Sequence, residues 1–269
     1  MKKIGLIGAG KWGQNYIKLA NKLNINLHIG TRLNWKDLIN FNNLDGIIIA
    51  TPPDSHIEIA IEALDKQIPV MIEKPLSLKY EEAIKLLKYT TPILVNNLHL
   101  FSPAYEYICN NIKKEDILEI SSIGCNQGPY REYSCLFDYG PHDLSMGMYL
   151  LKQKPKLLSI KTLNLTKLSS QYELLVSYDD VKHKIVVGNF GPNKQRIFRI
   201  KTKQNNTIIY NDLLKDKLKY NNKIINIDPI STLENSFLHF IKAIDGYIDD
   251  RFGVDLSISY VKFLEEIKT

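Results

Sequence analysis

The chain has 269 residues, of which 44% are hydrophobic and 24% charged, a balance that supports a packed core and excludes a disordered polymer. No apolar run approaches the ~18 residues of a membrane helix. The net charge of +6 sits mostly on lysines scattered among Asn and Ile, with five arginines (Arg32, Arg131, Arg196, Arg199, Arg251) and no basic stripe, which argues against a nucleic-acid partner.

The opening run, residues 3–8, is apolar and passes straight into a glycine loop without a small-residue cleavage site, so it reads as a strand rather than a signal peptide. Residues 11–23 follow with apolar positions Trp12, Tyr16, Ile17, Leu19, Ala20 and Leu23, a helical spacing. Strands are predicted over 25–31, 45–50, 70–72 and 93–95, with helices over 56–66 and 78–89 between them. This alternation predicts a doubly wound parallel sheet of the Rossmann type over residues 1–100. Beyond residue 100 the rhythm changes. A helix over 103–113, a strand over 117–125 and a helix over 141–152 precede strand-like runs at 157–166, 172–179, 183–190, 196–203 and 206–211. Two helices, 231–245 and 254–268, close the chain. Residues 101–269 therefore read as a C-terminal α+β domain with an open, mainly antiparallel sheet, its last helix returning to the first domain. The three cysteines, Cys109, Cys125 and Cys135, form no CxxC and have no histidine at ligand spacing. That count predicts no metal site and no disulfide scaffold, and suits a reduced, cytoplasmic protein.

Gly8-Ala9-Gly10-Lys11-Trp12-Gly13 is a GxGxxG between a strand and a helix. Its first glycine permits a tight turn, its second lets backbone approach a pyrophosphate, and its third lets helix and strand pack closely. The N–H groups at the helix start then face the phosphates. Lys11 and Trp12 belong to the same loop. The next strand ends Gly30-Thr31-Arg32, without the acid that binds ribose hydroxyls. A hydroxyl followed by a guanidinium suits a 2′-phosphate, which favours NADP over NAD.

Four segments occur in a fixed order: the glycine loop, Ala50-Thr51-Pro52-Pro53-Asp54-Ser55-His56, Glu73-Lys74-Pro75 and Asp138-Tyr139-Gly140-Pro141-His142. With them the sequence resembles the Gfo/Idh/MocA family of glucose–fructose oxidoreductase and inositol dehydrogenase, clearly over about residues 1–150. The stretches 11–15 and 141–145 look most like its branch acting on nucleotide-linked sugars. The resemblance implies an NAD(P)-dependent oxidoreductase of a sugar or nucleotide-sugar alcohol. It places Thr51, Pro52, Pro53 and His56 along the nicotinamide, Glu73 and Lys74 where cofactor meets substrate, and Asp138 with His142 as the family's Asp-x-x-x-His pair. The chain departs from the family in having only thirteen residues between Thr31 and Asp45, which predicts a trimmed adenosine side, and in carrying Ser145 where an Asp is common.

Oxidising a secondary alcohol needs a base for the hydroxyl proton and a hydride path to the cofactor. His142 is the candidate base. Because Pro141 is favoured at a first helical position, His142 is predicted in a first turn, where the dipole favours the neutral imidazole. Asp138 could orient it or bind sugar, and Lys74 could hydrogen-bond the reacting oxygen. Asn97, His99, Tyr130, Arg131 and Tyr133 are candidate substrate contacts, each with packing or a loop role as the alternative, while His28, His183 and His239 read as structural. Tyr172, Leu174, Val176 and Tyr178 share one face of a strand. Left uncovered, that face predicts a homodimer or homotetramer. The competing functions are a reductase of a non-sugar carbonyl or imine, and a non-catalytic dinucleotide- or sugar-binding sensor on the same fold.

Overall fold

Short strands made almost entirely of Ile, Val, Leu and Met need cover on both faces. They find it in a parallel sheet. The computed structural model describes residues 2–31, 33–41, 43–128, 130–191 and 193–267, with Phe41 in its backbone alone. In it β1 (Lys3–Ile7), α1 (Gly13–Lys22), β2 (Asn26–Gly30), α2 (Trp35–Phe41), β3 (Gly46–Ile49), α3 (His56–Leu64), β4 (Val70–Glu73), α4 (Tyr80–Ala83) and β5 (Ile93–Asn96) alternate. The strand order is β2-β1-β3-β4-β5, every pair parallel. Every residue of β3, β4 and β5 is buried. The order reverses between β1 and β3, so the loops leaving those two strands flank the crevice where open α/β sheets bind ligands.

The segment between Thr31 and Asp45 is short but not empty. It folds α2, whose Leu38 and Ile39 are buried, a helix that the sequence reading did not place. The predicted helix 78–89 instead divides into α4 and a 3-10 turn over Ile84–Lys88.

Residues 233–269 join this first compact unit. They hold most of α7 (Thr232–Ile244) and all of α8 (Asp255–Glu266). The sequence reading returns only the last helix to the first domain, and α7 joins it there: a Cβ on Gly46 of β3 would lie 2.7 Å from Ile244 and 3.0 Å from Phe240. Gly253 N–H also donates to the Ile93 carbonyl at 2.8 Å.

The second unit comprises residues 98–232. It contains α5 (Pro103–Asn111), β6 (Ile117–Cys125), α6 (Cys135–Leu151), β7 (Lys156–Leu165), β8 (Ser170–Tyr178), β9 (Val181–Gly188), β10 (Gln195–Thr202), β11 (Thr207–Asn211), β12 (Leu218–Tyr220) and β13 (Lys223–Ile224). The eight strands run β13-β12-β11-β10-β6-β9-β8-β7, with β6–β9 parallel and the other pairs antiparallel. The last two strands went unpredicted because two or three residues carry no legible alternation.

Two expectations about this unit fail together. First, α6 starts at Cys135, capped by Ser134, whose Oγ accepts from Leu136 N–H. Pro141 therefore lies inside the helix rather than at its first position. Second, the face bearing Tyr172, Leu174, Val176 and Tyr178 is buried, because α6 packs across β6, β8 and β9. The approach is close: a Cβ on Gly147 would lie 2.5 Å from the Tyr178 hydroxyl and 2.9 Å from His183 Nδ1. Burial pushes the His183 imidazole down to about 3, and its Nε2 meets Ser122 Oγ at 2.9 Å.

Candidate active site

The glycine turn follows from steric demands at two points. Gly8 has φ +102°, and a Cβ there would meet the Ala50 backbone at 2.6 Å. A Cβ on Gly13 would fall 2.0 Å from the Gly8 carbonyl oxygen. Both positions let α1 press onto the strand ends. A Cβ on Gly10, by contrast, would meet nothing within 4 Å, so that side of the loop is open to a ligand. Lys11 and Trp12 are exposed beside it. No acidic residue occupies the first turn of α1 and no side chain caps it; Gln14 and Asn15 N–H already donate to the Gly10 and Trp12 carbonyls at 3.0 and 2.9 Å, so what the helix start offers an anion is its positive dipole end and the N–H groups ahead of Gln14. The residues present fit a dinucleotide pyrophosphate.

Around β2 the fit is looser. Thr31 donates its hydroxyl to Asn34 Oδ1 at 2.8 Å, so it is engaged within its own turn. Arg32 lies outside the described residues.

At the end of β3, Thr51, Pro52 and Pro53 form a turn closed by Ser55, whose Oγ donates to Thr51 Oγ1 at 2.8 Å. His56 follows but presents no ring nitrogen to a ligand. It is 1% exposed; Nε2 lies 2.8 Å from the Thr51 carbonyl and Nδ1 3.0 Å from that of Pro75. Burial holds it below the usual imidazole value. Its role is to clamp the turns after β3 and β4 together.

Glu73 likewise turns inward. Its Oε1 accepts from Tyr16 at 2.5 Å and from Asn96 Nδ2 at 2.8 Å, and Asn96 also donates to the Tyr16 hydroxyl at 2.8 Å. Burial, and then the negative charge of Glu73, pushes the Tyr16 phenol well above its ordinary value. This buried triad joins α1, β4 and β5 directly behind half-buried Lys74, and so fixes where the lysine leaves the sheet. Asn97 is occupied too, its Nδ2 donating to Ser257 Oγ at 3.0 Å, which makes it an anchor for α8. Neither Tyr16 nor Asn96 is a site candidate in the sequence reading. The only trace was Tyr16's place on the inner face of α1.

In the second unit, Asp138 and His142 stand one turn apart on α6, a spacing that puts them on the same face. Asp138 is buried, and Arg131 Nε approaches its Oδ2 at 3.4 Å. Burial, and then Asp138, pushes the Tyr133 phenol up to about 12. Tyr130 is exposed. His99, buried on the 3-10 turn Leu98–Phe101, packs its ring edge-on to His142 with centroids 4.9 Å apart. Its Nδ1 lies 3.0 Å from the Tyr210 hydroxyl. Next to His142 in sequence, Asp143 is 1% exposed and accepts from Arg196 at 2.9 Å. Tyr210, Asp143 and Arg196 gave no sign in the sequence. Among the described residues no group of three His, Cys, Asp or Glu side chains could hold a metal, and no helix is long and apolar enough to cross a membrane.

Comparison with known proteins bears on the fold that holds these residues. The GFO_IDH_MocA model, described as the oxidoreductase family with an NAD-binding Rossmann fold, matches residues 18–91, just after the glycine loop. The rhizopine catabolism protein MocA of Rhizobium meliloti is 22% identical over 184 residues, which take in 57% of this chain and 58% of that protein. Thus a little over half of that relative's length is represented. Among solved structures, an oxidoreductase from Magnetospirillum magnetotacticum superposes with a TM-score of 0.89 at 24% identity, covering 98% of each chain. The UDP-N-acetylglucosamine 3-dehydrogenase of Acidithiobacillus ferrooxidans superposes with a TM-score of 0.76 at 14% identity, covering 98% of this chain and 95% of that one.

Proposed function

We propose that the chain is a member of the Gfo/Idh/MocA oxidoreductases, whose NAD-binding Rossmann model matches residues 18–91, and that it moves a hydride between a nicotinamide dinucleotide and a secondary alcohol or ketone of a sugar or nucleotide sugar. The observation that carries this reading is the glycine turn at the β1–β3 switch point, packed tightly at Gly8 and Gly13 and open at Gly10. The dinucleotide supplies the hydride chemistry once bound. Gly8, Gly10, Lys11, Trp12 and Gly13 hold its phosphates, and Thr51, Pro52 and Pro53 border its nicotinamide end. Lys74, braced by Glu73, donates a hydrogen bond to the reacting oxygen and stabilises charge that builds there. His142 takes the hydroxyl proton in oxidation and returns it in reduction. Asp138 binds or orients, and Arg131, Tyr130, Tyr133 and His99 offer polar contacts to hydroxyls. The end of β2 presents no carboxylate to ribose hydroxyls, which favours NADP.

Fluorescence titration with NADH and NADPH, followed by a turnover screen on nucleotide sugars and free polyols, tests this reading. The expected result is saturable binding, tighter for NADPH, with turnover on at least one sugar. Binding without turnover on any of them would point to the sensor, and turnover confined to non-sugar carbonyls or imines would replace the substrate class.

The protein is also proposed to associate as a dimer or tetramer through the outer face of the second sheet. There Ile197, Ile123 and Val186 are cross-strand neighbours and half-exposed, flanked by Ile209 and Leu175. Light scattering at micromolar concentration should return a multiple of 31.0 kDa, and a monomer would reject the interface.

A further inference from the structure

Tyr16 stands in the first turn of α1, and that turn is stitched to the glycine loop. Gln14 N–H donates to the Gly10 carbonyl at 3.0 Å, Gln14 Nε2 to that of Ala9 at 3.0 Å, and Asn15 N–H to that of Trp12 at 2.9 Å. Gly13 leaves no slack behind them, since a Cβ there would fall 2.0 Å from the Gly8 carbonyl oxygen. Whatever restrains the loop therefore restrains Tyr16.

The hydroxyl end of Tyr16 is tied to the residue before Lys74. It donates to Glu73 Oε1 at 2.5 Å, and Asn96, the register partner of Glu73 across β4 and β5, donates from Nδ2 to both groups at 2.8 Å. Tyr16 and Asn96 are 0% exposed and Glu73 6%. Burial, and then Glu73, raises the phenol, so it stays a donor. The arrangement carries a cost. Asn96 Oδ1 is buried and finds no hydrogen-bond partner among the described residues, and a buried acceptor left unpaired weakens the fold. Turning the amide over brings no relief, because its oxygen would then face a carboxyl oxygen of Glu73. A cluster kept for packing alone would be served as well by apolar side chains of the same shape. What polar groups add here is a specific link, and its two ends are the phosphate loop and the backbone next to Lys74.

We propose that Tyr16 is a positioning residue through which a phosphate bound at the glycine loop restrains Lys74. The proposal rests on the loop being the dinucleotide site, but its test needs no turnover. ADP is the probe, because it carries a pyrophosphate and no nicotinamide. Calorimetry on the full-length protein first establishes its binding. Trace acetylation with acetic anhydride, read by peptide mass spectrometry, then gives the reactivity of Lys74 relative to exposed Lys66. Saturating ADP should slow Lys74 acetylation about fivefold, the low end of coupling between two sites. In Tyr16→Phe ADP should still bind, but the slowing should vanish. Glu73→Gln, which weakens the same bond, should shrink it. Tyr16→Phe keeps the ring, whose centroid lies 6.2 Å from that of Phe237 on α7. Phe237→Leu loosens this packing instead and should keep the slowing. Lys74 acetylation indifferent to bound ADP in the unsubstituted protein overturns the proposal, even where every variant misfolds. Undiminished slowing in folded Tyr16→Phe or Glu73→Gln overturns it too, since ADP then shields the lysine by another route. So does loss of the slowing in a folded, ADP-bound Phe237→Leu protein. Failure of the parent reading looks different: neither ADP nor NADPH binds, and the proposal falls with it.

Discussion

His142→Ala should lower turnover by ~10²–10⁴, with dinucleotide affinity unchanged in the fluorescence titration. The split between the two readouts is the informative part. His142 belongs to residues 98–232, whereas the glycine turn that would bind phosphates belongs to the unit containing residues 1–97. A residue whose task is to move a proton alters kcat and leaves cofactor binding alone. Lys74→Met should also depress kcat strongly, because a neutral thioether cannot donate to the oxygen on which charge builds. Glu73→Gln is a gentler companion. It keeps the size of the side chain and accepts through its amide oxygen, but it weakens the bonds from Tyr16 and Asn96. A moderate fall in kcat is expected as the lysine loses its brace. Stopped-flow measurement of cofactor reduction with the sugar that scores in the screen distinguishes these cases. Wild-type turnover in His142→Ala would remove the proton-transfer role.

What the sequence made legible followed from patterns that repeat or from residues with few alternatives. The β3 run Gly46–Ile49 is apolar throughout and is buried throughout. The GxGxxG spacing has a steric reason that the coordinates reproduce at Gly8 and Gly13. What misled was a residue with two good uses. Proline is favoured at a first helical turn, so Pro141 read as the start of a helix. Here it sits inside α6 because Ser134 caps the helix earlier, and a run that is buried almost throughout holds the helix in place. Tertiary packing outweighed the local cost of one lost hydrogen bond. The same helix covers the Tyr172–Tyr178 face, which the sequence reading left uncovered because periodicity does not say which helix packs on which strand. Partners distant in the chain were illegible for a different reason. Tyr210 meets His99 across 111 residues, and Asn96 meets Tyr16 across 80, and neither pair leaves a periodic trace.

The helix that carries Asp138 and His142 is fastened by a charge pair, and breaking it should be costly. Asp143 is 1% exposed and Arg196 9%, with a 2.9 Å bond between them. Burial alone pushes the Asp143 carboxyl up, and the Arg196 guanidinium opposes that rise without cancelling it. Gly124 makes the pairing possible, since a Cβ there would lie 2.4 Å from the guanidinium. Removing one partner strands the other charge in a poorly solvated site, at a cost of about 3–5 kcal/mol. Arg196→Met should therefore lower unfolding stability in urea by that amount with an unchanged m-value. The double variant Asp143→Leu/Arg196→Met should recover most of the loss, because the buried charge disappears along with its partner. If the single variant unfolds like the parent, the pair does not hold α6 in place. If the double variant regains stability but not kcat, the carboxylate–guanidinium contact does more than pack the helix: it sets the orientation in which α6 presents His142.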